Sequence, residues 1–284
     1  MMARHFVHSY KSIDKKEIRE ERREQMKKEK YREEGTVLSQ EEISDGIFSL
    51  WIQTEEIAKA AVPGQFINIY CKEGSRLLPR PISICEIDRE CGTLRLVYRI
   101  VGKGTREFSG YQKGDTISLL GPLGNGFPLK GTKALLIGGG IGIPPMLQLA
   151  KELSCETTVA AGYRDGQLFL KEDFEKYAAV CVATEDGSVG TKGNVIDAIR
   201  EHQVEADVIY ACGPAPMLSA VKAYGEEKGI ETYVSLEERM ACGIGACLAC
   251  VCQSTEKDSH TNVKNKRVCK EGPVFLAQQV EITR

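Results

Sequence analysis

Apolar and polar positions alternate differently in four successive stretches of the chain. Residues 11–34 are mostly charged and carry both signs, with good helix formers and pairs such as Glu24 and Lys28 four apart in the favourable order. Ile13, Ile18, Met26 and Tyr31 do not make a continuous apolar face, so the pattern predicts a solvated helix that frays or detaches, a charged extension over 1–34. From Gly35 the chain turns to short β-branched and aromatic runs, with candidate strands at 46–51, 65–71, 83–88, 93–99 and 115–120. Turn residues break them at Pro63-Gly64, 90–92, 102–104 and Gly121-Pro122. Closely spaced short strands predict a small antiparallel β barrel over 35–130.

A different pattern follows over 131–232. The apolar strand at 133–137 runs into Gly138, Gly139, Gly140, Ile141, Gly142, Ile143 and Pro144, then into a helix to about residue 153. Strand, glycine turn and helix together cradle phosphate: glycine lacks the Cβ that would block a pyrophosphate, and the helix start offers free N–H groups. Further apolar strands at 157–162, 180–184 and 207–212, separated by helical segments, predict an α/β unit with a parallel sheet. Two of its strands end in loops where such sheets bind ligands, at Gly162-Tyr163-Arg164-Asp165 and at Cys212-Gly213-Pro214. The second also reads as a plain helix start with proline in its first turn. Arg164 suits a 2′-phosphate, whereas Asp165 repels one and accepts from a ribose hydroxyl, so these residues leave open which of the two a bound nucleotide carries.

The last stretch, 233–284, has few large apolar side chains and barely enough to fold alone. It holds Cys242, Cys247 and Cys250 in a C-x4-C-x2-C run, with Cys269 after 18 more residues. Four thiolates at that spacing suit a [2Fe–2S] cluster, and Gly243 and Gly245 let the loop curl so that backbone N–H groups point at sulfur. A four-cysteine zinc site needs the same residue type but usually presents two C-x2-C knuckles. Cys252, two residues past Cys250, fits a spare thiol, a substitute ligand or a buried small hydrophobe, the last being the commonest fate of a free cysteine. Cys250 is taken as the ligand because it completes the spacing. A bound cluster would supply stability that this segment lacks.

Composition narrows the picture. Eleven cysteines, with no apolar signal-peptide core at the N-terminus and no paired spacing outside the cluster loop, read as metal ligands plus buried thiols rather than disulfides. A net charge of −2 gives no reason to expect nucleic acid, and no apolar run reaches the length of a membrane span, so a cytoplasmic protein is expected. Two further motifs lie in the barrel region. Arg80, Pro81, Ile82 and Ser83 combine a guanidinium fork and a hydroxyl on a proline-stiffened backbone. Val97, Tyr98 and Arg99 lead to a glycine pair around Lys103, with Gly104 and Thr105, where backbone can approach a phosphate. Each alone also fits an ordinary surface turn or hairpin.

Taken together, RPIS, GGGIGIPPM, CGPAPM and MACGIGACLACVC…RVC…GPVF resemble the electron-transfer subunits of two-subunit, NAD-dependent dihydroorotate dehydrogenases, a branch of the ferredoxin–NADP reductase superfamily. The likeness runs from about Gly35 to Arg284. It implies that Arg80–Ser83, Val97–Arg99, Gly104 and Thr105 hold FAD, with Arg80 near the phosphates and Ser83 near the ring edge. It implies too that residues 138–142 and Pro144 cradle NAD, that Cys212, Gly213 and Pro214 lie near the nicotinamide, and that Cys242, Cys247, Cys250 and Cys269 bind [2Fe–2S]. No acid–base residue is implied. The partner implied is an FMN flavoprotein that oxidises dihydroorotate in pyrimidine synthesis, assembled as a heterotetramer. Two other readings compete: the FAD and [2Fe–2S] subunit of a ferredoxin-dependent NADP reductase or transhydrogenase, whose loop tends to carry aspartate where Cys242 stands, and a non-catalytic zinc module.

Overall fold

The structure, a computed structural model, describes residues 29–257 and 262–282. Six antiparallel strands close into a barrel in the order β1-β2-β5-β4-β3-β6: β1 (Tyr31–Ser44), β2 (Ile47–Gln53), β3 (Phe66–Ile69), β4 (Arg80–Asp88), β5 (Thr93–Arg99) and β6 (Thr116–Leu123). Alternate side chains point inward, so Leu50, Ile52, Ile67, Ile69, Ile84, Leu94 and Leu96 fill the interior.

The helix expected over 11–34 is corrected at its end. Up to residue 28 it lies outside the described residues, but Tyr31 begins β1, and Tyr31 to Glu34 pair with Gly121 to Ser118 of β6. Over this strand polar side chains face outward and only Gly35 and Val37 are buried, so it carries no apolar stripe to announce it. The Glu33 carboxylate accepts from the N–H groups of Glu55, Glu56 and Ile57 at 2.8–3.0 Å, capping the short helix α1 (Ile57–Ala60). The glycine pair at 102–104 is not a hairpin either: Gly102 is the N-cap of α2 (Lys103–Phe108).

The second layer is a seven-stranded sheet in the order β10-β9-β8-β7-β11-β12-β15. Its strands are β7 (Lys133–Gly139), β8 (Glu156–Tyr163), β9 (Ala179–Thr184), β10 (Thr191–Lys192), β11 (Val208–Cys212) and β12 (Glu231–Ser235), all parallel, and β15 (Val274–Leu276), antiparallel to β12. Helices α3 (Pro145–Glu152), α4 (Lys171–Phe174), α5 (Val195–Glu201) and α6 (Ala215–Lys228) connect them. With helices packed on the sheet, β7 and β11 are buried along nearly their whole length, which is why they read as unbroken apolar runs.

The cysteine-rich segment does not stand alone. It forms a hairpin, β13 (Val251–Gln253) with β14 (Asn265–Arg267), and then gives β15 to the large sheet. Val268 and Phe275 share one apolar cluster with Ile209 and Val234 of the sheet and with Phe66 and Leu123 of the barrel. Asn125, just past β6, fastens this wedge. Its amide donates to the carbonyls of Glu271 and Val274 at 3.1 and 2.9 Å, and its side-chain oxygen accepts from the Val274 N–H at 3.1 Å.

Barrel and sheet are also clasped by charge. Arg95 of β5 donates to Ser49 at 2.9 Å, to Glu86 at 2.8 Å and to Asp173 of α4 at 2.9 Å, while Lys151 of α3 reaches Glu86 at 2.9 Å. The Gln148 side-chain carbonyl accepts from the Ile87 N–H at 2.7 Å. The helix that follows the glycine turn is therefore fixed to β4, the strand that begins with RPIS.

Candidate functional site

The glycine turn and the Cys212 loop lie side by side. Gly138 and Cys212 are register partners at the C-terminal ends of β7 and β11. A Cβ on Gly142 would stand 2.3 Å from the Cys212 carbonyl oxygen, and one on Gly139 would stand 2.5 Å from Met217 Sδ and 3.2 Å from Pro214. Only glycine allows loops this close. Gly140 has φ +53° and open space where a side chain would be, on the outward side of the turn. Pro144 caps α3, but the helix start does not offer the free N–H groups the sequence pattern predicts. Pro144 and Pro145 carry no N–H, and those of Ile143, Met146 and Leu147 bond the carbonyls of Gly140, Ile143 and Pro144. Ile141 and Gly213 are half-buried beside it. Burial pushes the Cys212 thiol up to about 12, with the Ser235 hydroxyl and Glu237 as neighbours. The loop is also a helix start: Pro214 is the N-cap of α6.

In the barrel, Arg80, Pro81, Ile82 and Ser83 are all half-buried, whereas Ile84 and Cys85 next to them on β4 are fully buried. Arg80 lies across Gly104, whose missing Cβ would stand 2.4 Å from Arg80 Nε. The two barrel motifs thus meet, and the guanidinium sits beside the backbone of α2. Thr105 is buried, with its hydroxyl accepting from the N–H groups of Val101 and Gly102 at 3.0 and 3.2 Å. Tyr98 points into the barrel and donates to Gln40 at 2.8 Å, Val97 points into the core shared with α3, and Arg99 is exposed. Backbone is therefore what β5 offers a ligand at Val97 and Tyr98. The one-turn segment Gly140–Gly142 packs against β5, so the flavin and nucleotide candidates adjoin.

The four cysteines come together in two pairs. Burial raises the Cys242 thiol, but N–H of Ile244 at 3.5 Å, the Cys247 side chain and backbone, and N–H of Ala246 at 3.3 Å outweigh it and lower the thiol to about 6. Cys250 and Cys269 form the second pair: the Cys269 N–H donates to Cys250 Sγ at 3.4 Å, and burial with the neighbouring Cys250 pushes the Cys269 thiol up to about 12. Two thiols per iron is the ligand arrangement of a binuclear cluster. Gly243 and Gly245, at φ +70° and +86°, give the loop its curl, and Arg267 holds the Gly245 carbonyl at 2.9 Å while pairing with Glu271. Cys252 is buried in the apolar cluster on β13, its thiol raised to about 11 by desolvation. Cys247, Ile244 and Leu248 face outward.

Sequence reasoning did not single out Asn68, Asn125 or Arg267 as site supports. The site contacts they make, to Cys242, Val274 and Gly245, lie 22 to 174 positions away along the chain, so no local pattern marks them.

Comparison with known proteins accounts for all three parts. An oxidoreductase FAD-binding domain matches residues 34–127, an oxidoreductase NAD-binding domain residues 136–223, and the iron–sulfur cluster binding domain of dihydroorotate dehydrogenase B residues 237–281. The dihydroorotate dehydrogenase B (NAD+) electron transfer subunit of Listeria monocytogenes serotype 4a is 46% identical over 254 residues, covering 87% of this chain and 97% of its own. The chain belongs to this family of electron-transfer subunits. The dihydroorotate dehydrogenase B subunit from Fusobacterium nucleatum is 43% identical over 264 residues, with 88% and 98% covered. Among solved structures, a chain of an NADH-dependent reduced ferredoxin–NADP oxidoreductase matches with a TM-score of 0.78 at 30% identity, covering 87% of this chain and 89% of that one. As a dihydroorotate dehydrogenase B electron-transfer subunit, the chain carries FAD-, NAD- and iron–sulfur-binding domains.

Proposed function

We propose that this chain relays electrons from a catalytic subunit that oxidises dihydroorotate, through [2Fe–2S] and FAD, to NAD+. The observation that carries this reading is spatial order. The loop of Cys242 rests on β3, β3 pairs with the RPIS segment of β4, β4 pairs with β5, and β5 touches the glycine turn. When bound, the cluster supplies single-electron transfer, FAD exchanges single electrons for a pair, and NAD+ accepts a hydride.

The chain's own residues do the holding. Cys242 and Cys247 with Cys250 and Cys269 bind the irons, and N–H groups of Ile244, Ala246 and Cys269 stabilise charge on sulfur. Arg80, beside Gly104 and Thr105, neutralises the FAD pyrophosphate, while Pro81, Ile82 and Ser83 and the backbone of Val97, Tyr98 and Arg99 border the flavin ring. Residues 138–142 with Pro144 take the NAD pyrophosphate, and Cys212, Gly213 and Pro214 border the nicotinamide. Asp165, which pairs with the exposed Arg164 at 3.5 Å, suits a ribose hydroxyl and supports NAD over NADP. The proposed division is barrel 35–130, extended back to Tyr31 where β1 begins, nucleotide domain 131–232 and cluster domain 233–284. We assign a cytoplasmic heterotetramer, two of these chains with two FMN-containing catalytic subunits.

The test is NADH formation with dihydroorotate as the only donor, using the complex purified from its own cells. The expected result is formation that stops in Cys247→Ser while the partner stays bound. If dihydroorotate fails with flavin, cluster and partner all present, the donor assignment is wrong, and the ferredoxin-linked reading replaces it. A colourless protein holding zinc would overturn the relay itself.

A further inference from the structure

Asn68 is fully buried on β3, yet its carboxamide is only half satisfied. Nδ2 donates to the Cys242 carbonyl at 3.3 Å, while Oδ1 has no hydrogen-bond partner among the described residues. Its neighbours Ile67 and Ile69 point into the barrel, so Asn68 points outward, on the face it shares with its register partner Pro81 of the RPIS segment. On that face it meets the cluster loop: a Cβ on Gly243 would stand 2.4 Å from Asn68 Nδ2, so glycine is what lets the loop settle on the amide.

A carboxamide here does not serve the fold. An apolar side chain of the same shape would avoid burying the unpaired Oδ1 but would leave the Cys242 carbonyl without its donor, and the two effects offset each other. What asparagine alone provides is the tie to the backbone of the first cysteine ligand. We propose that Asn68 is a positioning residue for electron transfer, holding the Cys242 end of the cluster loop against the strand pair that carries the flavin-binding segment. This rests on the relay reading given above. The tie fixes the approach of cluster to flavin, and, by drawing on the Cys242 carbonyl, it orients the first thiolate and the N–H groups that follow it.

The test uses the complete complex with Asn68→Leu, which keeps the branched heavy-atom skeleton and removes the donor, and Asn68→His, which restores an N–H donor near the same place. Iron, sulfide and flavin contents, thermal stability, the EPR spectrum and midpoint potential of the reduced cluster, and the separate rates of flavin and cluster reduction by NADH are measured. The expected result for Asn68→Leu is full flavin content, thermal stability close to wild type, unchanged flavin reduction, a shifted EPR spectrum, and cluster reduction slowed by about tenfold or more. Asn68→His recovers most of the rate. An Asn68→Leu protein with wild-type spectrum, potential and cluster rate overturns the proposal, as does one that loses thermal stability together with its iron, which makes Asn68 a fold residue. Failure of the relay reading looks different, because the wild-type cluster is then not reduced by NADH at all.

Discussion

At Gly142 there is no room for even one methyl group: the obstacle is the Cys212 carbonyl, a backbone atom that cannot swing away. Gly142→Ala therefore pries apart the glycine turn and the Cys212 loop. A stability loss of about 1–3 kcal/mol is expected from overpacking, together with slower flavin reduction by NADH, and a thermal melt with stopped-flow absorbance checks both. The same reasoning separates the cysteines. Cys252→Ser keeps its iron and melts lower, because a hydroxyl replaces a buried thiol in an apolar cluster, whereas Cys250→Ser loses iron. Iron and sulfide analysis decides between them. The cysteine loop was legible in the sequence because the spacing of Cys242, Cys247 and Cys250 is local. Their supports were not: Arg267 reaches Gly245 across a hairpin, and Asn68 reaches Cys242 across the whole nucleotide domain.

Among the elements, the strongly apolar strands were visible and the first was not. β1 buries little and carries the charged runs 32–34 and 41–42, so only closure of the barrel makes it a strand. The cysteine segment reads as too poor in apolar side chains to fold alone, and it is in fact folded against two neighbours, with β15 in the sheet and Asn125 as its fastening. Asn125→Ala removes three hydrogen bonds and is expected to cost about 2–4 kcal/mol, seen as a lower melting temperature and faster loss of iron to a chelator. The clasp between barrel and sheet sets a pH dependence. Burial raises the Asp173 carboxyl, but Lys176 and Arg95 outweigh it and hold the group below its ordinary value. A lowered folded value gives stability that is present above the unfolded pKa of about 3.9 and lost as pH falls through the folded one. Urea midpoints should therefore drop below about pH 4, and Asp173→Asn should flatten part of that drop while lowering the midpoint at neutral pH.

For the molecule as a whole, the cysteine loop touches β3 and the glycine turn touches β5, so the three candidate regions follow one another across adjacent strands of the barrel. No helix among the described residues is long and apolar enough to cross a membrane. The α/β unit and barrel were readable from periodicity, but their mutual placement was not, since it rests on Arg95, Glu86, Asp173 and Lys151 meeting from four separate elements. The most direct measurement adds dihydroorotate to the anaerobic complex without NAD+ and follows absorbance and EPR, then adds NAD+. The account predicts that the flavin and cluster of this chain become reduced first, and that NAD+ reoxidises both as NADH forms. NADH appearing while the cluster stays oxidised throughout would contradict it.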